Sequence, residues 1–169
     1  MMQEKRAWPI NFNGLEHPPM NQLKEKIITL LNNTRSEARA DFSALACQEP
    51  VQGVIRWKYA VGNQNERFRR IVLHSGKGIA GKVLLSGRPT QVVNYQPMPH
   101  DDPREYPILY AEQLRTALGV PVYIDKRVHG VLLIGYRSDW NLTIKEISLT
   151  QRYAKELEAL FTQYAVQGF

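Results

Sequence analysis

Residues 69–85 read RRIVLHSGKGIAGKVLL, and this stretch is the most informative in the chain. The β-branched run predicts a strand, glycines 76, 78 and 81 predict a turn, and Ile79 with Val83 forms the apolar face of a short helix. Glycine lets the backbone turn sharply and approach a ligand closely. The first N–H groups of a helix have no intrahelical partner and lie at the positive end of its dipole, so this stretch predicts an anion site.

Two nucleotide-binding motifs match the same stretch, but their context is missing. Gly76, Gly78 and Gly81 fit a dinucleotide fingerprint, which requires a parallel βαβ unit and an acidic residue after the next strand. Here the next strand ends in Asn94-Tyr95, and a later segment is an antiparallel hairpin. The phosphate-loop motif matches from Gly76 through Lys82 but fails at its last position, because Val83 stands where a magnesium-binding Ser or Thr is needed.

The composition is typical of one globular domain. The 169 residues are 43% hydrophobic, and no apolar run approaches membrane-spanning length or forms a signal peptide. Cys47 is the single cysteine, which excludes an intrachain disulfide and cysteine-based metal sites. A cytoplasmic protein without membrane contact is therefore expected. The net charge of +6 favours an anionic partner, but the basic residues are scattered, so nucleic-acid binding is not expected.

We expect an irregular N-terminal arm at residues 1–19, where turn-forming residues dominate, and a single domain at residues 20–169. Periodicity predicts helices at 20–40, 78–85, 107–114 and 143–163, and strands at 54–61, 68–73, 90–95, 117–124 and 129–136. Residues 41–52 are predicted to be a loop. Alternation in the first strand places Ile55, Trp57 and Tyr59 on one face.

The last predicted helix has two apolar stripes. Thr143 and Glu146 form a capping box at its start. One stripe can cover a sheet, whereas the stripe of Leu149, Tyr153 and Leu160 needs another helix. That helix is either the first helix of the chain or the same helix of a second copy, so a homodimer is expected.

The order of elements, with GKGIAGKV after the second predicted strand and GVPV…GVL in the late hairpin, resembles a GAF domain over residues 20–165. The resemblance implies an α+β fold with a central antiparallel sheet of five to six strands. It also implies terminal helices on one face of the sheet and a ligand pocket on the other.

More closely, IRWKY at 55–59, RIVL at 70–73, GIAG at 78–81 and EYPI at 105–108 resemble stand-alone nitrate-receptor GAF proteins of the NreA type. The resemblance implies a cytoplasmic nitrate receptor, not an enzyme, that modulates a sensor histidine kinase of a nitrate/oxygen two-component system. No cofactor besides the nitrate ligand is implied. The implied ligand-binding residues are Trp57, Gly78, Ile79, Ala80, Gly81, Tyr106, Pro107 and Ile108.

Elementary energetics is consistent with a monovalent, weakly hydrated anion. Backbone N–H groups inside an apolar cup bind such an ion without a buried Lys or Arg, whereas desolvating phosphate or sulfate costs far more. Lys77 and Lys82 are accordingly interpreted as solvated surface charges.

Other functions remain open from the sequence. A GAF domain could bind another small molecule such as a cyclic nucleotide, or serve as a dimerisation module without ligand. GAF proteins that reduce free methionine sulfoxide resemble one another through several cysteines, and this chain has one. The four histidines lack metal-ligand spacing, and no serine lies in a nucleophile elbow, so we expect no metal and no catalytic residues.

Overall fold

The computed structural model describes residues 18–50, 52–96 and 105–166. Its helices are α1 (Pro18–Glu37), α2 (Gly78–Ser86), α3 (Pro107–Glu112) and α4 (Ile144–Val166). Its strands are β1 (Phe42–Gln48), β2 (Ile55–Val61), β3 (Val72–Leu73), β4 (Thr90–Val92), β5 (Thr116–Ile124) and β6 (Arg127–Tyr136). The strands form one sheet in the order β3-β2-β1-β6-β5-β4, and every neighbouring pair is antiparallel. The predicted α+β fold with an antiparallel sheet is confirmed.

Both faces of the sheet are covered. On one face α1 and α4 pack against each other, with α1 over β1 and β2 and α4 over β5 and β6, as the resemblance implied for the terminal helices. On the other face α2 and α3 pack over Trp57, Val131 and Leu133. Because the central strands are buried on both sides, β5 and β6 are apolar along most of their length.

The prediction of a loop at residues 41–52 is wrong. Phe42–Gln48 is strand β1, which lies in the middle of the sheet between β2 and β6. Its small residues Ala44 and Ala46 are fully buried, as are Ser43 and Leu45 on the opposite face. A strand buried on both faces shows no polar–apolar alternation, which is why the pattern did not reveal it.

The predicted common face holds for Ile55 and Trp57 but is wrong for Tyr59. The register of β1 with β2 shifts between Leu45 and Ala46, so that Leu45 is opposite Tyr59 and Ala46 is opposite Trp57. This bulge turns the side chains that follow it toward the opposite face of the sheet. Trp57 therefore packs in the layer with α2 and α3, whereas Tyr59 packs in the layer with α1 and α4.

Strand 68–73 is shorter than predicted. Arg67–Arg70 is a 3₁₀ helix that buries Phe68 and exposes its arginines, and only Val72–Leu73 pairs with β2. Strand 90–95 likewise ends at Val92, and Asn94 follows with a φ of +54°.

The second apolar stripe of α4 is covered within the chain. Leu149 and Leu160 are each 8% exposed and share a cluster with Leu23, Ile27 and Leu31 of α1. Tyr153 donates a hydrogen bond of 2.6 Å to Glu37. The expected packing against another helix is confirmed, and the first helix is the partner. Residues 1–17 of the predicted arm and the loop 97–104 lie outside the described residues.

Candidate functional site

The turn between β3 and α2 depends on three glycines. Gly76 and Gly78 have φ values of +84° and +64°, which side chains rarely adopt. The Gly76 N–H donates to the Gly81 carbonyl at 2.9 Å, so the turn folds back onto the helix. A Cβ on Gly81 would lie 2.6 Å from the His74 carbonyl oxygen, so only glycine fits there.

This turn leaves backbone donors at the start of α2. The Lys77 N–H donates to His74 and the Gly81 N–H donates to Lys77, each at 3.0 Å. The N–H groups of Gly78, Ile79 and Ala80 have no acceptor among the described residues. All three residues are buried, so the positive end of the helix dipole lies inside the protein.

The helix is seated closely on the sheet. A Cβ on Gly119 of β5 would lie 3.2 Å from both Val83 of α2 and Val131 of β6. Glycine at this position therefore sets the distance between α2 and the sheet.

Trp57 brings a further donor to the same layer. Its side chain is 2% exposed, and its buried Nε1 atom has no hydrogen-bond partner in the part of the chain that is described. Trp57 shares a buried cluster with Ile79, Ala80 and Ile108, and Tyr106 packs against that cluster. A buried donor without an acceptor lowers the stability of the fold, so the position of this atom requires an explanation.

Tyr106, Pro107 and Ile108 form the start of α3. Tyr106 is the N-cap residue, Pro107 occupies the first turn as predicted, and Ile108 is 1% exposed. The Tyr106 ring makes an edge contact with Tyr95, at 5.6 Å between centroids. Its hydroxyl accepts a hydrogen bond of 2.8 Å from the Lys82 ammonium.

The structure thus brings the predicted site residues together in one layer. Trp57, Ile79, Ala80 and Ile108 share the cluster, and Gly78 and Gly81 are buried in the turn beside it. Pro107 is partly exposed at the start of α3. Their role in binding a ligand stays a prediction.

The interpretation of Lys82 as a solvated charge is wrong, because this residue is partly buried and bonded to Tyr106, whereas Lys77 is exposed. The sequence position of Lys82 could have indicated this contact. Lys82 lies four residues after Gly78 and three after Ile79, so all three lie on the same face of the helix.

An ion pair between buried Glu112 and partly exposed Arg137, which the sequence did not reveal, anchors the far end of α3. Glu112 is 0% exposed and accepts hydrogen bonds from Arg137 at 2.7 Å and from the Gln64 N–H at 2.8 Å. Arg137 also donates to the carbonyls of Glu112 and Gly62. These bonds fasten α3 to the turn after β2 and to the end of β6.

An open groove of about 740 Å³ lies on the outer side of α3, where Arg67, Tyr110 and Arg115 contribute to its wall. Its volume falls in the range of small-molecule sites, but Trp57 and the start of α2 do not line it.

Among the described residues no group of three His, Cys, Asp or Glu side chains could hold a metal ion. Burial raises the pKa of the Cys47 thiol far above its usual range, although Lys58 opposes this shift. Cys47 also packs in the α1–α4 layer, on the face of the sheet away from α2.

Within the described ranges, no helix combines the length and apolarity that crossing a bilayer requires.

Comparisons with known proteins agree with this architecture. A mutant of NreA from Staphylococcus aureus, altered in its nitrate-binding site, has 35% sequence identity and a TM-score of 0.62; the match covers 68% of this chain and 86% of that chain. A type II free methionine-R-sulfoxide reductase from Thermoplasma acidophilum has a TM-score of 0.67 with 12% identity, covering 85% of this chain and 94% of that chain. The reductase therefore shares the fold alone.

A curated relative is more distant. The HTH-type transcriptional activator RamA of Corynebacterium glutamicum is 27% identical over 95 residues, which cover 54% of this chain and 34% of that protein. A family model described as the GAF domain matches residues 25–164. This chain therefore belongs to the GAF domain family, and its similar structures include nitrate-binding NreA.

Proposed function

We propose that this protein is a receptor for nitrate or a similar small monovalent anion. The observation that carries the proposal is a set of donors that find no acceptor among the described residues and lie in one apolar layer: the Trp57 Nε1 atom and the N–H groups at the start of α2. A buried anion would supply the acceptors that these donors lack.

The surroundings favour a singly charged, weakly hydrated anion. The layer is lined by the apolar side chains of Ile79, Ala80 and Ile108, and Lys82, whose ammonium reaches Tyr106, supplies one positive charge where phosphate or sulfate would need more to offset its desolvation. Nitrate is planar and carries acceptors on all three oxygens, so several fixed donors can bind it at once. The 35% identity to NreA supports the same ligand.

We further propose that the protein binds its ligand without converting it. Cys47, its single cysteine, is buried on the opposite face of the sheet, and burial raises the pKa of its thiol. This placement argues against thiol-based reduction at the proposed site, because the reactive species would be the thiolate.

The position of α3 supports a regulatory role. Its first turn contributes to the proposed site, while Glu112 at its end is tied to the turn after β2 and to β6. We propose that anion binding shifts this helix and the adjoining surface, and that a cytoplasmic sensor histidine kinase of a two-component system recognises the difference.

Isothermal titration calorimetry with sodium nitrate tests the ligand. Saturable binding of nitrate is expected, with chloride and sulfate giving no signal, and nitrite serves as a second monovalent anion. A cyclic nucleotide is included because the groove beside α3 is large enough for an organic molecule. Binding of the nucleotide without nitrate would refute the proposal in favour of a general GAF ligand.

Kinase autophosphorylation tests the signalling step. Radiolabelled phosphate incorporation by a sensor histidine kinase of the same cell is measured with the protein added, with and without nitrate. We expect nitrate to change the rate only when the protein is present. An unchanged rate would contradict the kinase role without affecting the ligand proposal.

A further inference from the structure

Lys82 is the charged side chain that joins the two helices of the proposed site. It lies one turn after Gly78 in α2, and its ammonium donates to the Tyr106 hydroxyl at 2.8 Å. Helical side chains lean toward the N-terminus of their helix, so Lys82 extends over the turn that carries the free N–H groups.

Tyr106, which accepts this hydrogen bond, is the N-terminal cap of α3 and so links Lys82 to that helix. As N-cap residue, it fixes where the helix begins, and Pro107 and Ile108 follow it directly. The Tyr110 N–H donates to the Tyr106 carbonyl at 3.0 Å, and the ring meets Tyr95 edge-on. Holding Tyr106 therefore also holds the first turn of α3.

In the part of the chain that the structure describes, Lys82 has no acidic partner. Its ammonium lies 4.6 Å from the centre of the Tyr106 ring. A hydrogen bond from an ammonium group is stronger than a neutral one, which suits a contact that must keep two elements in register.

We propose that Lys82 is a positioning residue for anion binding, acting through its bond to Tyr106. This inference rests on the proposed nitrate function. Lys82 holds the start of α3 against the start of α2, so that the pocket is formed before the anion enters. Preorganisation of this kind lowers the ordering cost of binding.

The experiment measures nitrate affinity by calorimetry for wild type, Lys82→Met, Tyr106→Phe and the double variant. We expect each single variant to bind about 10-fold more weakly, since a charged hydrogen bond is lost in both. The double variant should bind no more weakly than either single variant, because both changes remove the same contact.

Two further variants separate positioning from folding and from net charge. Lys82→Arg keeps a cationic donor and should recover most of the affinity. Lys155→Met removes an exposed lysine from α4, on the other face of the sheet, and should bind nitrate as wild type does. The unfolding temperature of each variant is measured without nitrate, and the affinity loss should exceed any change in the fraction folded.

The outcomes distinguish this inference from the proposed function. If wild type does not bind nitrate, the proposed function fails and this inference with it. If wild type binds nitrate and Lys82→Met binds within twofold of it, only the positioning role is refuted. Losses that add in the double variant would also refute it, because they would show that the two residues act independently.

Discussion

Trp57 packs in the core, and it also carries a buried polar group, the indole N–H. Replacing it with phenylalanine keeps an aromatic ring but removes the buried Nε1 donor, which has no acceptor among the described residues. If that donor binds the anion, Trp57→Phe should weaken nitrate binding about 10-fold, equivalent to about 1.4 kcal/mol. Calorimetric titration with nitrate measures the change.

Trp140 provides the matched control for this substitution. It stacks on Tyr136 at 4.4 Å between ring centroids, and its Nε1 atom donates to Glu146 at the start of α4. Trp140→Phe should therefore lower the unfolding temperature and leave nitrate affinity unchanged. Equal affinity of Trp57→Phe and wild type would show that the indole N–H takes no part in binding.

At the scale of elements, a second prediction concerns the close packing of α2 against the sheet. Gly119→Ala places a methyl group 3.2 Å from the side chains of Val83 and Val131, so these side chains, or the helix that carries Val83, must shift by a few tenths of an ångström. We expect a loss of about 1–3 kcal/mol in the free energy of unfolding, as for other overpacked cores. Nitrate affinity should fall as well, because the donors of α2 move.

A compensating substitution tests whether helix position is the cause. Val83→Ala removes the methyl groups that the new Cβ would meet, so the pair Gly119→Ala and Val83→Ala should recover part of the lost nitrate affinity. Denaturant unfolding and calorimetry are measured on the same preparations. Full nitrate affinity in Gly119→Ala alone would contradict the close seating of α2.

The start of α4 makes a prediction about acid stability. Burial raises the pKa of Glu146, but hydrogen bonds from the Thr143 side chain and backbone and from Trp140 outweigh it and lower the pKa to about 2. The carboxylate thus stabilises the fold fully above its ordinary pKa of 4.5, and this stabilisation is lost as the pH falls toward 2.

Glu146→Gln should therefore cost about 0.5–2 kcal/mol at neutral pH, as expected for a helix cap. The difference from wild type should shrink between pH 4.5 and pH 2, where the wild-type carboxylate also becomes protonated. Thermal unfolding followed by circular dichroism measures both. Glu156→Gln, at an exposed position in the middle of α4, is the control. A difference that stays constant with pH would contradict the role of the carboxylate.

Elements with a strong local signal were predictable from the sequence, and those set by tertiary contacts were not. The capping box of α4 and the glycine turn before α2 depend on nearby residues, and both form as predicted. Strand β1 has no alternation because both of its faces are buried. The bulge that separates Trp57 from Tyr59 depends on the pairing of β2 with β1, which no local pattern encodes.

The same distinction applies to the candidate site. Its predicted residues came from a family resemblance, and the structure brings them into one layer. Lys82 and the ion pair of Glu112 with Arg137 depend on contacts between elements far apart in sequence. A buried carboxylate in a short helix looks like any surface glutamate until its partner is known.

At the scale of the whole molecule, the buried donors for which the described residues offer no acceptor predict that the ligand stabilises the fold. A ligand that binds only the folded state adds about 2.7 kcal/mol at 100 times its dissociation constant. For a chain of 169 residues this corresponds to a rise of about 5–10 °C in the unfolding temperature. Thermal unfolding in sodium nitrate, compared with sodium chloride of the same ionic strength, measures the shift.

Matching the ionic strength matters because the chain has a net charge of +6, so that any salt screens repulsion within it. Sulfate stabilises folded proteins without binding them, so chloride is the better reference. The shift should be smaller in Trp57→Phe at the same nitrate concentration, because its affinity is lower, and unchanged in Trp140→Phe. An unfolding temperature in nitrate equal to or below that in chloride would mean that the buried donors at α2 and Trp57 remain without an anion, and the receptor proposal would fail.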